Sequence, residues 1–240
     1  MTTKPLLLFL GEFEAASTAQ SHILWSLHAA ASAEKLVLNT RWIQSEDLAH
    51  NPAVVTEADG VVLVPGSKRR FPVTAPPMMR ALALIRETDR PFLALGSTHH
   101  LVGQEASTAL SSSNSSLVET ERIRRGPDGV RSRPSGGTWD EPVRCDVQYQ
   151  AHPDLYGAPR SKEEWVPEQE ALLPTSFEGL IPSPFQVMAT VTRTGQACLM
   201  RRGDLGYHWV ATFLPDQESN ERGRPHALYE SLVRNIASRP

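Results

Sequence analysis

The stretch "RPFLALGSTHHLVGQEA", Arg90 to Ala106, has the pattern of a buried strand that runs through a tight turn into a helix. Phe92 to Leu95 form a short continuous apolar run, as in a strand covered on both faces. Many enzymes mount a nucleophile on such a turn. Here the turn residue is Gly96, which has no side chain. The turn imposes an unusual backbone, often with φ above zero, and that costs a non-Gly residue about 1–2 kcal/mol. Where no nucleophile is required, Gly is the least strained occupant.

Upstream, the chain alternates strand and helix patterns. "PLLLFLG" (5–11) reads as a buried parallel strand. "STAQSHILWSLHAAASAE" (17–34) reads as a helix with Ser17 or Thr18 as N-cap and Ile23, Leu24, Leu27 and Ala31 inward. "KLVLNTRWI" (35–43) is a second strand and "DGVVLVPGS" (59–67) a third. "APPMMRALALIRETD" (75–89) is a helix with prolines suited to its first turn, and "PFLALG" (91–96) is the fourth strand. The helix "STHHLVGQEASTAL" (97–110) follows it. This alternation predicts a doubly wound α/β fold around a mainly parallel sheet.

After Leu110 the pattern changes. "SSSNSS" and "RGPDGVRSRPSGGTWDEP" read as loops or hairpin turns. The runs "LVETERIRR", "VRCDVQYQ", "FQVMATVTR", "ACLMRR" and "HWVATFL" read as strands, and "DGV" and "RTGQ" as hairpin-turn signals. "RPHALYESLVRNIAS" closes the chain as an amphipathic helix with Leu228, Leu232, Val233 and Ile236 inward. We read one domain over 1–240: a parallel α/β half (4–110), loop-rich antiparallel strands (111–203), and a closing strand and helix (204–240).

With a net charge of −3, nothing suggests a general nucleic-acid or membrane-surface binder. The apolar run Pro5–Leu10 is too short to span a bilayer and lacks signal-peptide flanks. Cys145 and Cys198 have no metal-ligand spacing, and a cytoplasmic protein with both thiols reduced is expected.

The order of elements and the residues at their junctions resemble the class I glutamine amidotransferase domain, of the kind fused at the C-terminus of CTP synthase, and its stand-alone relatives. "ADGVVLVPGS" is similar to that family's strand ending in a Pro-Gly-Gly oxyanion loop. "RPFLALGSTHH" lines up without a gap on its nucleophile elbow, Pro-aromatic-Leu-Gly-x-Cys-x-Gly-x-Gln. "ATFLPDQES" and "GRPHALYESLVRNIA" line up on its closing Phe-His-Pro-Glu segment and terminal helix. The resemblance covers nearly the whole chain and implies the flavodoxin-like sheet of that family.

The family's chemistry needs a thiolate, a His to take the thiol proton and an acid to orient the His. By the resemblance these three positions fall on Gly96, Leu214 and Asp216, so only the third keeps its chemical type. A family glutamate that holds the substrate's amino group falls on Leu117. In the oxyanion loop Gly66 is kept, Ser67 replaces the second glycine, and Lys68, Arg69 and Arg70 follow. The resemblance therefore implies a protein unable to hydrolyse glutamine.

Other residues carry two readings each. His99 and His100 start the helix after the elbow, as a new base or ligand contact or as a surface pair. Ser97 would stand on the elbow if the alignment shifted by one residue. Lys68, Arg69 and Arg70 are an anion site at the ligand-binding edge of the sheet or a solvated loop. Asp216 and Glu218 are a carboxylate pair or an acidic loop. The cysteines are core thiols. No metal or cofactor is expected. Expected partners are a small anionic metabolite or a biosynthetic enzyme, with no nucleic acid or membrane. The alternative function is an enzyme with a repurposed pocket acting on a non-glutamine, anionic small molecule.

Overall fold

The computed structural model describes residues 4–11, 18–44, 47–64, 76–98, 101–102, 105, 142–167, 185–193, 195, 197–215 and 225–239. Among the described residues, nine strands form one sheet in the order β2-β1-β3-β4-β9-β8-β7-β5-β6. They are β1 (Leu6–Gly11), β2 (Asn39–Gln44), β3 (Gly60–Leu63), β4 (Phe92–Leu95), β5 (Pro142–Tyr149), β6 (Arg160–Pro167), β7 (Phe185–Val191), β8 (Ala197–Arg202) and β9 (His208–Ala211). Among the described residues, the helices are α1 (Thr18–Ala33), α2 (Asp47–His50), α3 (Pro76–Glu87) and α4 (Ala227–Ala237), and residues 101, 102 and 105 are also helical. β2, β1, β3, β4 and β9 are mutually parallel, and the pairs β9–β8, β8–β7, β7–β5 and β5–β6 are antiparallel.

The apolar runs of β1, β3 and β4 reflect burial on both faces. Successive side chains point to opposite sides of a sheet, so Leu7, Phe9, Val62, Leu93 and Leu95 join one core cluster, with α1 and α4. Leu8, Leu10, Val61, Leu63, Phe92 and Ala94 join the other, with α3 and α2. This is the doubly wound arrangement expected from the sequence. Ile23, Leu27 and Ala31 are inward on α1, and Leu228, Leu232, Val233 and Ile236 on α4.

Two helices end through the same device. Lys35 (φ 57) and Asp89 (φ 48) adopt the left-handed conformation just beyond α1 and α3. Leu36 then donates to the Ala31 carbonyl at 2.8 Å, and Arg90 to that of Ile85 at 3.2 Å, as in a Schellman cap. The cap at Lys35 explains why β2 begins at Asn39 and not at Lys35. α4 sits close on β3: a Cβ added at Gly60 would lie 2.6 Å from Ile236 Cδ1 and 2.9 Å from its Cγ1. Gly60→Ala is expected to cost about 1–3 kcal/mol by overpacking, measurable as a lower urea midpoint with an unchanged slope.

The antiparallel strands continue the main sheet edge to edge, where the sequence suggested a decoration. The sequence does not announce β6, because charged residues dominate the first half of "RSKEEWVP". The run "LVETERIRR" lies outside the described residues.

Candidate active site crevice

β4 ends at Leu95, and Gly96–Thr98 form a 3-10 turn. Gly96 is buried and has φ 58, in the left-handed region. An elbow of this kind therefore closes the strand, at the residue the sequence placed there. Thr98 holds the turn from inside. Its buried hydroxyl donates to the Leu95 carbonyl at 2.7 Å and lies 3.4 Å from the Leu63 carbonyl, tying the ends of β4 and β3 together. On the other side, Leu95 pairs with Ala211, so Gly96 and Thr212 stand side by side at the ends of adjacent parallel strands. Such strand ends are where open α/β sheets bind ligands.

Leu214, two residues past Thr212, is half-buried and packs on the α1/α4 core cluster. The structure thus sets the elbow and the Leu214 strand end on neighbouring strands. Asp216, Gly66, Ser67, Lys68, Arg69, Arg70, His99, His100, Leu117 and Glu218 lie outside the described residues, and of Ser97 only the backbone is described. Cys145 is half-buried and Cys198 buried, both as free thiols. Burial, with the nearby Glu164 carboxylate, pushes the Cys198 thiol up, so it stays protonated. Among the described residues no group of three or more His, Cys, Asp or Glu is arranged to hold a metal ion. No described helix is long and apolar enough to cross a membrane.

A buried polar network that sequence reasoning missed packs against Phe213, the residue after Thr212. Glu164 Oε1 accepts from Tyr149 Oη at 2.9 Å and His226 Nε2 at 3.2 Å, and pairs with Lys162 Nζ at 3.1 Å. His226 is the N-cap of α4, with Nδ1 accepting from the Leu228 N–H at 3.2 Å. An accepting Nδ1 carries no proton, so the ring proton sits on Nε2 and points to Glu164. Tyr156 Oη is 3.3 Å from the same nitrogen, and the Phe213 ring centroid is 6.2 Å from that of His226. Burial pushes the Glu164 carboxyl up. The His226 hydrogen bond, the Lys162 ammonium and the Tyr149 hydroxyl outweigh it and hold the group at about 2. Burial and Glu164 push the Tyr149 phenol up, which keeps it a donor.

Residues at the start of α4 contact the chain on both flanks of the segment that carries Asp216. Tyr229 Oη donates to the Pro215 carbonyl at 3.5 Å, and His226 holds the far end at α4. His226 gave no sequence signal, because it is not one of the Ser, Thr, Asp or Asn residues that mark an N-cap. Glu164 gave none, standing in "SKEEW" among charges that face water.

No protein-family model and no curated protein matches the sequence. Solved structures do match. The glutaminase domain of Trypanosoma brucei CTP synthase, solved with acivicin bound, superposes with a TM-score of 0.72 at 14% identity, covering 98% of this chain and 95% of that one. The fold is that of a class I glutamine amidotransferase domain. A GMP synthase subunit from Thermoplasma acidophilum has a TM-score of 0.59 at 13% identity, covering 98% of this chain and 95% of that one. A glutamine amidotransferase of Methylobacillus flagellatus has 0.52 at 10% identity, covering 88% and 70%. At these identities the likeness fixes the amidotransferase-like architecture and leaves the chemistry to the residues.

Proposed function

We propose that the chain is a glutamine amidotransferase-like protein of the CTP synthase type that does not hydrolyse glutamine and uses its crevice to bind a small anionic metabolite in the cytoplasm. The observation that carries the reading is Gly96 itself, buried at φ 58 on the elbow with no atom that can attack a carboxamide. Leu214, at the family's His position, has no group that can accept a proton. The likeness in fold to the T. brucei glutaminase domain over nearly the whole chain supports this reading.

Anion binding rests on the sequence Ser67-Lys68-Arg69-Arg70 after β3, where the family has a neutral Gly-rich turn. Cations at the carboxyl edge of parallel strands, ahead of a helix start, suit a carboxylate or phosphate. A thermal-shift screen of anionic metabolites, with inorganic phosphate and pyrophosphate as reference probes, tests this, because a ligand of the folded state raises its stability. The Lys68→Ala, Arg69→Ala, Arg70→Ala triple variant should weaken the best hit by tenfold or more, about the value of one charge-assisted hydrogen bond, while leaving unfolding without ligand unchanged. An affinity that does not change makes the loop a solvated surface and removes the anionic assignment. A screen without hits leaves docking to a biosynthetic enzyme as the surviving role, read by co-elution in size-exclusion chromatography.

A further inference from the structure

The far end of the same two strands carries a second unusual group. His208, the first residue of β9, is buried, and its Nε2 has no hydrogen-bond partner among the described residues. The ring lines a cavity with room for about one water molecule, walled by Arg86, Glu105, Arg202 and apolar residues of α3, β4 and β9. Asp89 Oδ1 stands 3.5 Å from Nε2, out of line for a hydrogen bond.

Asp89 joins three separate segments. It follows α3 in the left-handed conformation. Its Oδ1 accepts from the Gly206 N–H at 2.8 Å, in the β8–β9 turn. Its Oδ2 is 4.0 Å from Arg239 Nη2, and its carbonyl accepts from the same Arg239, beyond α4. Gly206 fits closely, since a Cβ there would lie 3.2 Å from Asp89 Oδ2.

A neutral His208 leaves this arrangement intact. A protonated one has two donors and a charge, and it competes with Gly206 and Arg239 for one carboxylate. It would also face the guanidiniums of Arg86 on α3, Arg202 on β8 and Arg239. Glu105 is already engaged by Arg86 at 2.9 Å, and Asp204 by Arg202 at 3.1 Å. A buried imidazolium is poorly compensated here. We propose that His208, Asp89 and Arg239 form an acid-sensitive latch at the root of β4 and β9, in which proton uptake by His208 releases the β8–β9 turn and the C-terminal residues from the α3–β4 turn.

Burial lowers His208 to about 4, with Asp89 opposing and Arg202 adding to the shift. His208 is therefore neutral and the latch closed at neutral pH. Once open, the ring is in water and titrates near its ordinary ~6.5. The open form binds a proton that the closed form does not, so its population rises about tenfold between pH 7.5 and pH 5.5.

Hydrogen exchange of the full chain at these two pH values, corrected for intrinsic rates, tests the latch. Protection at residues 203–207 and 236–239 should fall about tenfold on acidification, with β3 unchanged. In His208→Phe and His208→Asn the fall should be under about twofold. An equal acid response in a folded His208 variant overturns the latch, as does no response in the unmodified chain. An NMR titration of the His208 ring in the unmodified chain is independent of any variant. A midpoint near the ordinary ~6.5 overturns the proposal, and one well below pH 5 supports it.

Discussion

Glu164→Ala is expected to destabilise the folded chain by about 2–6 kcal/mol, the cost of leaving two buried donors without an acceptor. The carboxylate is acceptor for three donors at once, from Tyr149, His226 and Lys162. Lys162 can swing its ammonium to water along its flexible stem. Tyr149 and His226 cannot, being buried in the closed network, and each donor left unmade costs about 1–3 kcal/mol. Glu164→Gln keeps an acceptor oxygen and should lose roughly half as much. Urea unfolding at neutral pH measures both.

The pH dependence of Glu164 has a definite sign. Its folded value is about 2, below its ordinary 4.5. Its contribution is therefore fully present above pH 4.5 and is lost as pH falls from 4.5 towards 2, about 3 kcal/mol in all. His208, lowered to about 4 from 6.5, also favours the folded state at higher pH, but its contribution is lost between pH 6.5 and 4. The two windows separate the groups. Glu164→Ala should flatten only the lower one, and His208→Phe only the upper.

The second large expected effect is a failure of rescue. Restoring a thiol at the elbow with Gly96→Cys should give no glutaminase activity, with glutamate release within about twofold of the unmodified chain. Catalytic triads act as units, so one restored member recovers little. Leu214 can neither take the thiol proton nor lower the thiol's pKa, leaving it near the unperturbed ~8.5 and mostly protonated. At φ 58 the new Cβ also strains the turn by about 1–2 kcal/mol. Gly96→Cys with Leu214→His adds the missing base, and activity confined to this double variant would support both positions. Strong turnover by Gly96→Cys alone would show that another residue, His99 or His100 among the candidates, supplies the base.

The elbow and the core faces were legible in the sequence for a physical reason. A parallel strand buried on both sides must be apolar throughout, so "LLLFL", "GVVL" and "FLAL" announce themselves, and a turn that demands positive φ selects Gly96. The amphipathic stripe of α4 was equally plain, since Leu228, Leu232, Val233 and Ile236 follow helical spacing. β6 was hidden because, among the described residues, it is an edge strand paired with β5 alone, and its outward residues are free to be charged. Glu164 was hidden for the same reason. In sequence it cannot be told from its exposed neighbour Glu163, and only the fold turns it inward to Tyr149 and His226. His208 likewise looked like part of an ordinary strand. Its orphaned nitrogen follows from where the α3–β4 turn and the C-terminus meet, which no local pattern encodes.

The most direct measurement is the simplest one: the purified, unmodified chain is incubated with glutamine, and the glutamate and ammonia released are quantified. With Gly96 on the elbow and Leu214 on the neighbouring strand end, release should not exceed that of a buffer control. Clear turnover, proportional to protein concentration and surviving further purification, would contradict the account by showing that this crevice holds a nucleophile and a base of its own.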